Sequence, residues 1–235
     1  MITTLKVLSL LLDYPTRDLC AGVGELRAAI DRDGLLKGAS RRELEPLLTS
    51  LESEDIYDLQ EQYVLLFDRT KSLSLHLFEH VHGEGRDRGQ AMVDLKTMYE
   101  EAGLDFAASE LPDFVPAFLE FLSTLDWERA REHLGQPQHI FAALKMRLLE
   151  KQSPYAAIFS ALETLAVGKV SDEVVASLLK EPTEDPNDLE ALDKAWEDAA
   201  VEFGAGAALE DDCPKVSDML KRMDPVPEQR EQDNG

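Results

Sequence analysis

Three residues near the middle of the chain have the types and spacing of a catalytic zinc site. His76, Glu79 and His80 match the H-x-x-E-H pattern of inverted zinc peptidases, in which two histidines on one helix face bind zinc and the glutamate acts as base. A complete site also needs a third protein ligand, and no second compact cluster of metal-binding residues follows in the sequence. A zinc-dependent hydrolase is therefore kept as the alternative function.

The same segment also has a purely structural interpretation. Leu73, Leu77 and Val81 recur every four residues and predict one packed face of a helix, while the histidines would satisfy local hydrogen bonds. Leu73, Leu75 and Leu77 also alternate with polar residues, which is typical of extended chain. We predict a loop followed by a short helix at this place.

Helices are predicted along most of the remaining chain. Tyr14-Pro15 ends the first, Thr16 caps the second, and Ser40 to Glu43 form a capping box for the third. Apolar residues at helical spacing predict the others. The predicted helices span residues 5–13, 16–34, 40–53, 54–68, 89–103, 112–125, 127–134, 137–151, 153–167, 171–179 and 189–203.

The helix that follows Pro112 is apolar on two sides. One face carries Phe114, Phe118, Phe121 and Leu125, and a second carries Val115, Leu119 and Leu122. Such a helix lies at the centre of a bundle or lines an apolar groove.

Arg86, Asp87 and Arg88 are predicted to form a loop before the helix that ends at Gly103. A helix N-terminus favours anions, so Asp87 could serve as a local cap. The two arginines would then form ion pairs with the acidic body of the protein.

Charge restricts the class of partner. The chain of 235 residues has a net charge of −23, and residues 181–235 contain 17 acidic and 5 basic side chains, a net of −12. The first 180 residues therefore carry −11, which attracts a basic peptide and repels anionic membranes. Nucleic acid is an unsuitable partner for such a protein.

The sequence predicts a single cytoplasmic domain. Cys20 and Cys213 form no C-x-x-C pair, and no segment approaches the ~20 apolar residues that cross a bilayer. The first apolar run lacks the flanks of a signal peptide. We expect an all-α, single-domain helical bundle over residues 1–203, without stable membrane insertion, and a disordered acidic tail over residues 204–235.

One long segment resembles a known family. The run YVLLFDRTKSLSLHLFEHVHGEGRDRGQAMVDL from Tyr63, the later ELPDFVPAFLEFL, and the opening LLDYPT are similar to NarJ-type maturation chaperones of respiratory nitrate reductase. These belong to a wider set of molybdoenzyme chaperones that includes those of TMAO and DMSO reductases. The resemblance extends over residues 1 to 165.

The resemblance implies a chaperone that is not an enzyme and has no cofactor of its own. Its partner would be the N-terminal segment of the nitrate reductase catalytic (molybdenum) subunit, which it would keep competent for cofactor insertion and assembly. Proteins that deliver the cofactor would be further partners. The chaperone would not remain in the final enzyme.

The expected peptide site combines an aromatic groove with charged groups. The relatives that serve TMAO and DMSO reductases carry a Glu-x-Pro-Asp-His type motif implicated in leader recognition. Glu110, Pro112 and Asp113 match it, whereas Phe114 replaces the histidine, so the resemblance implies a role for Glu110 and Asp113. An amphipathic peptide would place apolar anchors in the groove and basic groups against acids. The predicted peptide-binding residues are Tyr63, Phe67, Asp68, Arg69, His76, Phe78, Glu79, His80, His82, Arg86, Asp87, Arg88, Glu110, Asp113, Phe118 and Phe121.

Overall fold

Helices make up most of the structure. The computed structural model describes residues 1–82, 86–104 and 110–180, apart from the side chains of residues 82, 86 and 87, and all belong to one compact unit, Met1–Val201. Within these ranges the β-type pairing is a single bridge between His76 and Phe114. The all-α prediction is confirmed. The predicted helix over 189–203, the acidic tail and Cys213 lie outside the described residues.

The helices follow one another with short connections. In chain order they are α1 (Thr3–Leu11), α2 (Arg17–Ala21), α3 (Val23–Asp33), α4 (Gly38–Glu43), α5 (Glu45–Ser53), α6 (Ile56–Tyr63), α7 (Glu79–His82), α8 (Arg86–Glu101), α9 (Val115–Thr124), α10 (Trp127–Leu134), α11 (Gln138–Glu150), α12 (Ala156–Leu165) and α13 (Asp172–Leu178). A π-helical turn, Val64–Asp68, continues α6, and a 3₁₀ turn, Lys71–Leu73, follows it.

Helix α9 lies in the core, as its two apolar faces predict. Val115, Phe118, Leu119, Phe121 and Leu122 are all buried, and the main neighbour of α9 is α1, whose leucines are buried against it. Burying a side chain of this size stabilises the fold by roughly 1.5–3 kcal/mol. The packing of α1 against α9 therefore anchors the N-terminus.

A second set of helices packs around α11. Helices α12 and α13 both pack against α11. Between α11 and α13, Ala142, Ala143 and Val175 form a small buried cluster. The chain reaches α12 after a turn at Gln152, which has a positive φ of 55°. This group of helices holds the last described part of the chain against the body.

The predicted helix over residues 16–34 is two helices. Thr16 accepts a hydrogen bond from the Leu19 backbone N–H, which confirms it as a cap. However, α2 ends at Ala21 and α3 starts at Val23, with Gly22 between them. Because glycine costs conformational entropy inside a helix, it is a favoured place for such a break.

The predicted capping box at Ser40 to Glu43 is wrong. Both residues lie inside α4, where Ser40 approaches Thr164 and Glu43 accepts a hydrogen bond from Ser160. Helix α5 starts at Glu45 because Pro46, which has no backbone N–H, suits the first turn of a new helix.

The loop predicted at residues 86–88 is also wrong, because α8 already begins at Arg86. Gly103 ends this helix as predicted, with a positive φ of 79° that glycine adopts without strain. None of the helices in the described part of the chain has the length and apolar character needed to span a bilayer.

Candidate functional site

The buried carboxylate of Asp113 joins two segments, residues 74–78 and 112–115, which we together call the central motif. Its side chain is 0% exposed. The Oδ1 atom lies 3.2 Å from His76 Nδ1, and Oδ2 accepts a 3.0 Å hydrogen bond from the Phe78 backbone N–H. Because an unpaired buried charge is costly, these two partners explain how the acid is tolerated.

Backbone hydrogen bonds connect the same two segments. Leu77 N donates to Asp113 O at 3.0 Å, and Val115 N donates to Leu75 O at 2.8 Å. The Tyr99 hydroxyl donates to Pro112 O at 2.8 Å. This pairing holds Leu75 and Leu77 beside the start of α9, whereas Leu73 lies in the preceding 3₁₀ turn, so the alternation of the leucines is extended chain only around the His76–Phe114 bridge.

The histidines do not form the predicted zinc arrangement. Helix α7 starts at Glu79, so His76 precedes it and does not share a helix face with His80. His80 Nε2 lies 2.8 Å from Ser74 O, and Glu79 pairs with Arg88 at 3.2 Å. Among the described residues no three acidic, histidine or cysteine side chains are placed to hold a metal. The zinc hydrolase alternative therefore has no support.

The pKa of His76 is raised above its ordinary value of 6.5. The hydrogen bond to Asp113 is the largest cause, and the charges of Asp113 and Glu79 act in the same direction. Burial and the positive charge of Arg88 oppose them. His76 also lies near Asp68, whose pKa is raised by burial and lowered by the charge of His76.

An aromatic cluster lies beside this motif. The rings of Tyr63 and Phe67 are 4.9 Å apart between centroids, and Tyr155 contacts both, at 6.2 and 5.1 Å. The Tyr63 hydroxyl donates to Leu12 O at 2.9 Å. Tyr14 packs edge-on against Tyr63 at 5.5 Å and is 42% exposed. The cluster therefore reaches the surface through Tyr14.

Three carboxylates act electrostatically on the Tyr63 hydroxyl of this cluster. Burial raises the pKa of the Tyr63 hydroxyl, and the negative charges of Asp13, Asp68 and Glu110 raise it further. All three acids are exposed. We call these three acids together with Tyr14 the acidic aromatic surface. Its negative charge and its exposed aromatic ring suit a basic side chain that carries an apolar stem.

The aromatic residues predicted to line a groove are buried. Tyr63, Phe67, Phe78, Phe118 and Phe121 are each at most 6% exposed. They form core in this conformation, so an open groove lined by their rings is not present among the described residues. Their peptide-binding role stays a prediction, and it requires either a movement of the segments above them or contact at their edge.

The charged residues predicted for the site are distributed differently. Asp68, Arg69 and Glu110 are exposed, whereas Arg88 is half-buried in its ion pair with Glu79. For Arg88, this pair agrees with the prediction that the two arginines form ion pairs with acidic residues of the protein. The side chains of His82, Arg86 and Asp87, including the predicted Asp87 cap, lie outside the described residues.

Sequence reasoning missed three residues that shape the site. Asp13 and Tyr14 belong to the LLDYPT segment, whose likeness to the family was noted without a role. Arg147 is 2% exposed, and it donates to Ser72 O at 2.6 Å and to Leu178 O at 2.8 Å. It therefore connects the turn before the motif to α13. An arginine among the apolar residues of α11 was the available signal.

Solved structures place this architecture in a class. A protein from Archaeoglobus fulgidus that is assigned to redox enzyme maturation has a similar fold, with a TM-score of 0.51 and 25% sequence identity. The match covers 69% of this chain and 91% of that chain. The fold is thus that of helical redox enzyme maturation proteins.

Sequence relatives narrow the class to a family. The family described as the nitrate reductase delta subunit matches residues 32–161. The chain is 41% identical over 201 residues to the nitrate reductase molybdenum cofactor assembly chaperone NarJ of Escherichia coli K12, which covers 86% of this chain and 85% of NarJ. NarW of the same strain, assigned to the same role, is 39% identical over 93% of this chain and 91% of NarW.

The chain belongs to this family of NarJ-type assembly chaperones. Members of the family are maturation chaperones and not catalytic enzymes. The resemblance found in the central motif is therefore confirmed.

Proposed function

We propose that this protein is the maturation chaperone of a respiratory nitrate reductase. It binds the N-terminal segment of the catalytic subunit, assists insertion of the molybdenum cofactor and assembly of the complex, and is absent from the final enzyme. It acts in the cytoplasm without a cofactor of its own, and cofactor-delivery proteins are further partners. The helical domain over residues 1–203 carries this function.

One observation carries the proposal. The relatives named as nitrate reductase assembly chaperones match 86% and 93% of this chain. The family model matches residues 32–161, which include His76 and Asp113 of the motif and Asp68 and Glu110 of the acidic aromatic surface. The coverage is too extensive for a single shared helix or short motif.

The charge and aromatic content of the surface support peptide binding. A basic, amphipathic segment would pack apolar groups near Tyr63 and Phe67 and direct its cations to Asp68 and Glu110. Apolar burial contributes roughly 25 cal/mol per Å², whereas an exposed ion pair contributes about 0–1 kcal/mol. Apolar contact would therefore supply most of the affinity, and charge would mainly accelerate the encounter.

Calorimetric titration tests the proposal. The probe is a synthetic peptide with the N-terminal sequence of the nitrate reductase catalytic subunit from the same organism, and a scrambled peptide of equal charge is the control. We expect saturable binding of the native peptide alone. Equal binding of both peptides, or of neither, would contradict specific recognition of this segment.

A cellular assay tests the assembly role separately. A strain that lacks its own chaperone of this family should regain molybdenum-loaded nitrate reductase when it expresses this protein together with the matching enzyme. The measurement is the molybdenum content of the purified enzyme. Enzyme that is fully loaded without the chaperone would refute the role.

A further inference from the structure

Tyr14 is an exposed aromatic residue in a fixed position. It lies in the turn between α1 and α2, and this turn is tied to α6 at three points. Leu12 O accepts from the Tyr63 hydroxyl at 2.9 Å, Pro15 O accepts from Gln60 Nε2 at 2.8 Å, and the Tyr14 ring packs edge-on against Tyr63. Because the backbone is held at Leu12 before Tyr14 and at Pro15 after it, the ring is pre-organised for contact.

The exposed Tyr14 has a carboxylate as its direct neighbour. Its own backbone N–H donates to Asp13 Oδ1 at 2.8 Å, which places that carboxylate at the backbone of Tyr14. Asp68 and Glu110 act on the hydroxyl of Tyr63, the ring that Tyr14 contacts. An aromatic face with carboxylates around it attracts a cation more strongly than either feature alone.

A second exposed tyrosine, Tyr57, already makes a cation–π contact within the chain. Tyr57 is 69% exposed, and the guanidinium of Arg17 lies 5.9 Å from the centre of its ring. The face of Tyr57 is therefore already occupied by a cation of the protein itself. The chain thus provides a matched control for Tyr14.

We propose that Tyr14 and Asp13 bind a lysine or arginine side chain of the partner peptide. The apolar stem of that side chain packs on the ring, and its charged end pairs with Asp13. This inference rests on the proposed function, because it names the residue class that the same partner segment must present. It extends the site to the turn between α1 and α2.

A double-mutant cycle tests the inference. The peptide is the N-terminal segment of the catalytic subunit, and each of its lysines and arginines is replaced singly by glutamine. Tyr14→Leu should raise the Kd about threefold to tenfold, as expected for loss of a cation–π contact. With one of the peptide variants the two losses should not add, which identifies the contacted residue.

Three further variants separate the possible causes. Tyr14→Phe keeps the ring and should leave the Kd within about twofold of the wild-type value. Asp13→Asn keeps the hydrogen-bond acceptor for the Tyr14 N–H but should reduce the dependence of association on salt. Tyr57→Leu, the matched control, should not alter the Kd. Thermal unfolding by circular dichroism verifies that each variant is folded.

The outcomes distinguish this inference from the proposed function. If the wild-type protein binds the peptide and folded Tyr14→Leu binds it with the same Kd, the inference is wrong and the function stands. Additive losses with every peptide variant also refute it. If the wild-type protein fails to bind any form of the peptide, the proposed peptide recognition itself is wrong.

Discussion

His76 Nδ1 lies 3.2 Å from Asp113 Oδ1, and this contact joins residues that are 37 positions apart in the sequence. The motif expected in chaperones of TMAO and DMSO reductases has a histidine directly after the aspartate, where this chain has Phe114. A histidine nevertheless lies beside the aspartate, because His76 comes from the segment before α7. Its ring also packs against Phe114, with 5.4 Å between the ring centres.

This contact predicts a stability that depends on pH. The folded protein raises the pKa of His76 above 6.5, the unfolded value, mainly through Asp113. The extra stability is therefore fully present below pH 6.5 and is lost as the pH rises through the raised pKa. His76→Gln should remove this part, so its difference from wild type in free energy of unfolding should shrink as the pH rises.

Urea denaturation between about pH 6 and pH 9 measures this difference. The other charged groups near His76 are Glu79, Arg88 and Asp68. Glu79→Gln is the control, because it removes a smaller cause and should alter the profile less than His76→Gln. A difference that stays constant across the range would show that His76 is not protonated against Asp113.

Arg147 is predicted to hold the motif to the last described helix. Arg147→Met would leave Ser72 O and Leu178 O without this donor, and we expect a loss of about 2 to 4 kcal/mol in the free energy of unfolding. Lys145→Met, two residues away on the same helix, is the control. It breaks an ion pair with Glu163 nearer the surface, with an expected cost of about 1 kcal/mol or less.

Hydrogen exchange adds a local readout for the same pair of variants. Arg147→Met should speed amide exchange in Lys71–Leu73 and in Asp172–Leu178, whereas Lys145→Met should leave both segments protected. Equal effects of the two substitutions would mean that the buried arginine has no special connecting role.

The buried aromatic residues predict a separation between stability and binding. Phe118→Ala should cost about 3–5 kcal/mol in free energy of unfolding because it opens a cavity in the core. Glu110→Gln, at an exposed position, should change stability by at most about 0.5 kcal/mol. Chemical denaturation of both variants checks this, and a small effect of Phe118→Ala would mean that its ring is accessible.

Substitutions at Phe118, Phe121 and Glu110 also distinguish the sources of binding energy. If apolar contact dominates, folded Phe118→Ala or Phe121→Ala should weaken peptide binding more than Glu110→Gln does. Raising the salt concentration should slow association more than it speeds dissociation. The reverse order, with salt acting mostly on dissociation, would indicate a specific buried charge contact instead.

The acidic tail is predicted to be dispensable for folding. Residues 204–235 are poor in apolar side chains and cannot offset the entropy lost on ordering. A chain that ends at residue 203 should keep its thermal midpoint nearly unchanged, as measured by circular dichroism. A fall of many degrees would show that the tail packs on the helical domain.

Periodicity places most helices of the described part of the chain, because each of them turns an apolar stripe to the core. The leucines of α1 and the two apolar faces of α9 are examples, and both elements are buried as their spacing predicts. The errors occur at short-range breaks. At Gly22 and Pro46 one backbone property ends a helix while the side-chain stripe continues.

The contacts within the candidate site could be predicted from the sequence less well than the helices. Nothing in spacing pairs His76 with Asp113, because the contact depends on how α9 meets the segment before α7. The sequence likewise does not show that exposed Tyr14 and buried Tyr63, which are 49 positions apart, contact each other. Their difference arises from tertiary packing, which places one ring beneath the other.

The π-helical turn at Val64–Asp68 has a consequence for how insertions are tolerated. Arg69 N bonds to Val64 O, five residues earlier, so the turn contains one residue more than an α-helical turn. An extra residue in a regular helix would rotate all later side chains by about 100°. Here the π-helical turn accommodates the extra residue between Tyr63 and Asp68, so the side chains before and after the turn keep their orientation toward the core. Deletion of one residue from Val64–Asp68 would convert the π-helical turn into an ordinary α-helical turn, so we expect the fold to tolerate it.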